Sequence, residues 1–259
     1  MIVRALGVSL LLAVSQAAQP SIDLCAENSQ SGRERYCEVR EEILTGQTAL
    51  DIDPGRNGGV HVRGWSRQDV RLQTRVEGYA GAASRARALV SAVRVTSLAG
   101  RLRTDGPMAP DNEHWATSFY LDVPANTQLA INTNNGGISL EEFSGAAVLR
   151  ATNGSIRVRA AAGGIRGRTE NGGLHVELAG ARWEGEGLDV ETRNGSVRLT
   201  VPANYSAEFE TGTVHGRVQI DFPATIHSGR ERRFTATLGS GGPKVRAVTT
   251  NGSVVVRRQ

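Results

Sequence analysis

A chain of 259 residues with 31 glycines, 39% hydrophobic residues and only 5% aromatics suits a turn-rich β-fold with small inward side chains. It argues against a helical bundle, which would carry more leucine and less glycine. The 30 basic residues, of which only Lys244 is lysine, are interspersed with 26 acidic ones for a net charge of +4, so the surface reads as mixed and solvated, with no basic run for nucleic acid to follow.

Residues 1–17 read as a secretory signal peptide. Arg4 supplies the positive start and residues 5–14 an apolar core. Ser15 and Ala17 supply the small residues that place cleavage after Ala17. The apolar core is too short to span a bilayer, and no later stretch is long enough either. Residues 18–45 form an N-terminal segment holding Cys25 and Cys37, which in an exported chain are expected to pair as a disulfide. Cys37 leads into an expected strand. Residues 48–79 alternate in strand fashion, residues 82–93 form the one helix candidate with Ala86, Leu89, Val90 and Val93 on one face, and strands resume through 94–123 around a loop at Pro107 and Pro110.

One short pattern dominates residues 46–259, read as a single β-strand-repeat domain: Asn-Gly-(Gly or Ser), apolar, any residue, apolar. It occurs at Asn57, Asn135, Asn153, Asn171, Asn194 and Asn251, with a weaker copy expected at Thr211-Gly212-Thr213. Positions three and five after each Asn are apolar, as in Ile156 and Val158. In the five copies from Asn135 onward, positions six and four before it are mostly apolar or small, and the residue two before is usually Thr. Each unit is therefore a strand, a corner and a second strand. An Asn-Gly between apolar runs is also a strong hairpin signal, and a meander of hairpins would give the same spacing. The return of like residues at like offsets favours parallel coils, in which Thr lies over Thr and Asn over Asn. Glycine and asparagine at the corner are expected to supply positive φ. The fold expected is all-β: a right-handed β-solenoid or roll of two stacked sheets with one short flanking helix.

His61, His175 and His215 each stand four residues after an expected corner, where alternation turns them outward. Arg157 and Arg198 occupy the same offset in the coils on either side of His175, so Arg157, His175 and Arg198 form a candidate cationic stripe for an anionic glycan or phosphate. No metal site is expected, since no ligand spacing accompanies these histidines. Trp65, Trp115 and Trp183 are read as core or end-cap packing rather than sugar platforms. Asp51 with Asp53, and Glu141 with Glu142, are close-set acids of the kind that glycan-cleaving β-helices use, but they fall in different regions without a matching pair. The glycine-rich run at 239–243 lacks the Lys and Ser/Thr of a phosphate loop and reads as a turn. No nucleophile with a base partner emerges, and neither catalytic residues nor a cofactor are expected.

The segments GGVHVRGW (58–65), SFYLDVPANTQLAINTNNGGISL (118–140), TRNGSVRLTVP (192–202), TVHGRVQIDFP (213–223) and LGSGGPKVRAVTTNGSVVVRR (238–258) resemble the bacterial β-strand-repeat family labelled "putative adhesin", also called the toast-rack fold. The resemblance covers roughly residues 37–258. It implies an exported or envelope-associated β-solenoid with no assigned catalytic site and no functional residues to transfer. The resulting expectation is a non-catalytic periplasmic or secreted module that adheres to, or scaffolds, a glycan, a surface polymer or an envelope protein. Its oligomeric state is not legible. Two other readings are a polysaccharide-degrading β-helix enzyme and an envelope-stress accessory acting through a membrane partner.

Overall fold

The computed structural model describes residues 23–26, 32–221 and 232–259. The expected signal peptide lies outside them. The chain opens with β1 (Glu34–Leu44), β2 (Ala49–Asp53), β3 (Val60–Trp65), β4 (Val70–Ala80), α1 (Ala83–Ala92), β5 (Arg94–Leu98), β6 (Arg101–Asp105) and β7 (His114–Pro124). A regular series of long and short strands follows: β8 (Gln128–Asn135) and β9 (Ile138–Glu141), β10 (Ala146–Asn153) and β11 (Ile156–Arg159), β12 (Gly164–Asn171) and β13 (Leu174–Glu177), β14 (Gly187–Asn194) and β15 (Val197–Val201). The chain closes with β16 (Ala207–His215), β17 (Val218–Ile220), β18 (Arg232–Leu238), β19 (Lys244–Asn251) and β20 (Val254–Arg258).

These strands form two sheets. Sheet A runs β1-β4-β7-β3-β9-β11-β13-β15-β20-β17 and sheet B runs β18-β16-β19-β14-β12-β10-β8-β2-β6-β5. Through the middle of both sheets every pairing is parallel and in register, with Ile156 beside Ile138 and Leu174, and Leu188 beside Ile165 and Val245. The coil is therefore the observed architecture, not the meander. Antiparallel pairs occur toward the ends, at β1 with β4, β4 with β7, β5 with β6 and β16 with β18. Between the sheets the inward residues form one continuous apolar core, from Leu50 and Ile52 through Ile138, Leu140, Ile156, Leu174, Val190 and Leu199 to Val256 and Phe209.

The rungs do not stack in chain order. The unit β2–β3 lies against β8–β9, and β6–β7 sits outside it although it follows it in sequence. The same exchange occurs at the other end. β19–β20 lies against β14–β15, with β16–β17 outside it, so the last strand of the chain is an interior rung.

The weaker seventh corner is not at Thr211. Residues 211–215 continue β16, and His215 pairs with Asn251, so the corner is His215-Gly216-Arg217. Thr213 is the threonine that stands two residues before four of the six other corners. His215 consequently occupies the corner-Asn position and not the outward position expected for it.

The reason for glycine at the corners also differs from the expectation. Among the corner glycines Gly58 and Gly252 have positive φ, 156° and 157°, but Gly136, Gly154, Gly172 and Gly195 do not. What excludes a side chain is stacking. A Cβ on Gly154 would lie 2.0 Å from the carbonyl oxygen of Gly136, one on Gly172 2.1 Å from that of Gly154, and one on Gly195 2.0 Å from that of Gly172. The adjoining asparagines form a ladder, each side-chain amide donating to the carbonyl oxygen of the next: Asn135 to Asn57 at 3.1 Å, Asn153 to Asn135 and Asn171 to Asn153 at 2.9 Å, Asn194 to Asn171 at 3.0 Å, and Asn251 to Asn194 at 2.8 Å.

The inward threonines complete the corner. Thr169 donates to the carbonyl of Gly154 at 2.7 Å, Thr192 to that of Gly172 at 2.7 Å, and Thr249 to that of Gly195 at 2.8 Å. Thr192 is fully buried. Thr192→Val is expected to lower stability by about 1–3 kcal/mol, because the shape is kept while a buried carbonyl loses its donor. Thr192→Ser should recover most of that loss. Urea denaturation of the three proteins checks it, and equal midpoints for valine and threonine would refute the role.

The helix expected at 82–93 is α1. Its Ala86, Leu89 and Val90 pack on Tyr36, Val76, Ala80 and Trp115. Gly78 permits this approach, since a Cβ there would lie 2.4 Å from the Ala86 carbonyl oxygen. Arg40 reaches from β1 to the carbonyls of Val90 at 3.0 Å and Val93 at 2.8 Å, serving as the helix's C-terminal cap. Ser97 on β5 donates to Glu42 on β1 at 2.8 Å. This end of the stack is thus covered by the helix and cross-tied between the sheets, which blunts an otherwise open edge. Cys25 and Cys37 form a disulfide with Cα atoms 5.9 Å apart. Arg35 binds the Cys25 carbonyl at 3.1 Å and Arg75 the Leu24 carbonyl at 3.3 Å, holding the segment further against β1 and β4.

Candidate functional site

Because side chains alternate across a strand, the outer face of sheet A carries ruled rows of one residue per rung, about 4.8 Å apart. One row reads Gln73, Tyr120, His61, Ser139, Arg157, His175, Arg198, Val255. The structure therefore brings the three candidate residues together on consecutive rungs. Arg157 and Arg198 are exposed and His175 between them is half-buried. Among the described residues no carboxylate lies within ion-pairing distance of either arginine.

The next row outward is different. There Asp122 binds Arg63 at 2.7 Å and Arg71 at 2.5 Å, and Arg159 binds Glu141. Burial pushes the Glu141 carboxyl upward, but hydrogen bonding and charge from Arg159 outweigh it and hold it below the usual carboxylate range. Close ion pairs hold Arg63, Arg71 and Arg159 in that row, whereas Arg157 and Arg198 make none, although the Arg157 charge also helps to lower Glu141.

Local sequence explains why His175 sits low. Where the residue two before it in the same outward line is glycine, the imidazole folds back across the gap. His175 Nε2 lies 3.3 Å from where a Cβ of Gly173 would stand, and His61 Nε2 lies 3.6 Å from that of Gly59. Arg157 and Arg198 follow Ser155 and Ser196 instead, and rise from the face. His61 stacks on Tyr120 with centroids 4.6 Å apart. The His175 imidazole is driven below its ordinary pKa, first by burial and then by the charges of Arg157 and Arg198. His61 is lowered mainly by burial, with Arg75 adding to the shift.

The acid pairs are not brought together. Asp51 faces outward on sheet B and binds Arg103 at 2.5 Å, while Asp53 accepts the Gly55 amide at 2.9 Å. Glu141 is on the opposite sheet. A shallow groove of about 490 Å³ does lie on sheet B, floored by Ala130, Ala146 and Val148 between Arg101 and Arg166, with Asp51 and Glu186 on its rim. Further along that sheet Arg246 joins Asp189 at 2.6 Å, Glu191 at 3.2 Å and Glu210 at 3.3 Å. Burial pushes the Asp189 and Glu210 carboxyls up, yet the hydrogen bonds and charges of Arg168 and Arg246 at the first, and of Lys244 and its neighbours at the second, leave both lowered. A general acid at neutral pH needs the opposite shift. Among the described residues no group of three or more His, Cys, Asp or Glu side chains is arranged to hold a metal ion. No helix among them is long and apolar enough to cross a membrane.

Of the tryptophans, Trp183 is core, Trp115 packs under α1, and Trp65 is half-buried with Arg67 4.7 Å above its ring. Two features escaped sequence reasoning: the charge pairing within the outward rows, and the recess over Gly173. The alternation of Gly-x-His with Ser-x-Arg at successive corners was the available signal for the second.

Fold and faces together define a stacked, two-sheet β-roll whose exposed side-chain ladders offer extended surfaces. The Toastrack DUF4097 family model matches residues 117–257, more than half of the chain, and the chain belongs to that family. No curated protein matches it. Among solved structures, a "putative cell adhesion protein" from Clostridium sporogenes is 8% identical with a TM-score of 0.45, over 86% of this chain and 100% of that one. A "putative adhesin" from Bacteroides fragilis is 12% identical with a TM-score of 0.30, over 86% of this chain and 97% of that one. A "putative adhesin" from Parabacteroides distasonis is 10% identical with a TM-score of 0.31, over 84% and 97%.

Proposed function

We propose that this Toastrack protein is a non-catalytic, exported binding module that lays the outer face of sheet A along an anionic polymer of the cell envelope, with Arg157 and Arg198 as its principal contacts. The observation that carries the reading is the row Arg157, His175, Arg198, in register on consecutive rungs, whose two arginines make no ion pair while Arg63, Arg71 and Arg159 in the adjoining row do. The disulfide supports an oxidising compartment. The carboxylates with resolved shifts on both faces are held ionised by arginine or lysine partners, which suits a structural surface better than hydrolysis of a glycan.

The test is binding to dextran sulfate, with neutral dextran as reference, across a range of salt. The Arg157→Ala/Arg198→Ala double variant is expected to bind at least about tenfold more weakly and to show a flatter salt dependence. Arg150→Ala/Arg166→Ala removes the same charge from exposed positions of sheet B and should leave binding within about twofold. Equal losses in the two double variants would mean that only net charge matters and would refute a specific face.

A further inference from the structure

The sheet A face is not uniform along its cationic row, and its middle is a recess. Arg157 and Arg198 are two rungs apart, about 10 Å between backbones. Between them the His175 imidazole lies folded toward Gly173, so two long cationic arms flank a low floor. Ser155 accepts the Gly173 amide at 3.0 Å, which fixes the wall on the Arg157 side, and Ser196 stands on the Arg198 side. The same Gly-x-His pattern occurs at Gly59, but there His61 is exposed, stacks on Tyr120 and is flanked by Tyr120 and Ser139, without an arginine in either adjoining position. A half-buried histidine between two arginines is therefore found once in this row.

Building on the anionic-polymer reading, we propose that this recess is a discrete site for one tetrahedral oxyanion ester, a sulfate ester or phosphate monoester borne by the polymer, held by Arg157, Arg198 and His175. Two guanidinium forks on the flanking rungs and one imidazole N–H on the rung between them stand in a single row, three donor groups for one anion. A carboxylate or a phosphodiester offers two terminal oxygens, whereas a sulfate ester or phosphate monoester offers three. The groups facing the imidazole are Arg157 from β11 with Ser155 from the corner before it, and Arg198 from β15 with Ser196 from the corner before it, with Glu177 and Arg159 one pleat further along. The neighbouring guanidinium charges add to burial in disfavouring the charged form of His175. An anion between the arginines cancels that repulsion and favours the imidazolium. Binding therefore takes up a proton, and affinity rises as pH falls through the range where histidine titrates.

Calorimetry of the full chain tests this with dextran sulfate, phosphorylated dextran, polygalacturonate and neutral dextran. Dextran sulfate serves for the pH series because its esters stay ionised throughout. Its affinity is expected to rise about tenfold from about pH 8 to about pH 5, with heats that depend on the buffer's ionisation enthalpy. His175→Gln should abolish the proton uptake. Gly173→Ser, which installs the residue already present at Ser155 and Ser196, should push the imidazole out of the recess and weaken binding about tenfold while the thermal midpoint is kept. Phosphorylated dextran binding with dextran sulfate, ahead of polygalacturonate at matched charge, is the expected ranking. If sulfate alone binds, or phosphate alone, the site is assigned to that ester. Polygalacturonate binding as tightly, an unchanged Gly173→Ser variant, or absence of proton uptake would each overturn the recess. Those results would leave the broader reading intact if Arg157→Ala/Arg198→Ala still weakens binding. Failure of the unaltered protein to bind any anionic polymer would remove both.

Discussion

Gly154→Ala is expected to destabilise the protein by more than about 4 kcal/mol, although it adds one methyl group at a partly exposed corner. The new Cβ would stand 2.0 Å from the Gly136 carbonyl oxygen, 2.5 Å from its carbon and 2.9 Å from the Gly137 nitrogen. All three are backbone atoms, so no rotamer change relieves the contact. Moving the Gly154 backbone outward is not free either, because its carbonyl accepts the Thr169 hydroxyl and lies directly beneath Gly172. The displacement must pass along the ladder or break it. Gly137→Ser is the control, placing a side chain at the next position of the same corner, where the adjoining rung carries Ser155 and a further rung Ser196. It should cost no more than about 1 kcal/mol. Chemical denaturation followed by far-ultraviolet circular dichroism separates the two, and a Gly154→Ala midpoint close to that of Gly137→Ser would refute stacking as the cause.

Much of this was legible because a parallel stack writes its register into the sequence. Each rung must place an apolar pair, a threonine and an Asn-Gly at the same offsets, or a ladder is broken. Ile138, Ile156, Leu174 and Val197 could therefore be aligned without coordinates, and the Asn ladder followed from the alignment. The same uniformity hides the order of the rungs. The inward faces of β14–β15, β19–β20 and β16–β17 are alike enough that any could lie on any other, and only the intact chain shows that β19–β20 is inserted between the other two. The corner at His215 was missed because Thr211-Gly212-Thr213 imitates a corner locally. Counting back from Gly216 to Thr213 would have found it. At the candidate site the sequence showed which residues share a row, since that depends on strand alternation alone. It could not show that Arg159 is consumed by Glu141 while Arg157 is not, because that depends on rotamers and on distances across the rung.

Trp183→Ala is expected to cost about 3–5 kcal/mol, and Trp183→Phe about half of that. The flank opposite the Asn ladder has no repeated corner to close it. There the chain returns from sheet A to sheet B through irregular turns, and buried side chains plug the gap between the sheets: Phe143 after β9, Trp183 after β13 and Tyr205 after β15. Trp183 is 1% exposed and lies in the longest of these returns, the one that makes the β12–β13 unit five residues longer than the units before it, 23 against 18 from Asn to Asn. Its indole N–H donates to the Gly163 carbonyl at 2.9 Å, which ties the longer turn to the preceding rung. Alanine would leave a void within the core, between rigid sheets that cannot close on it. Phenylalanine would keep most of the packing, and the Gly163 carbonyl would still accept the Gly187 amide at 3.1 Å, so that group would not be left bare. Thermal unfolding of the three proteins measures the difference. If Trp183→Ala melted with the unaltered protein, this flank would be held by its backbone alone. The apolar plug would then be incidental, and the flat outer face of sheet A would owe its rigidity entirely to the corner ladder.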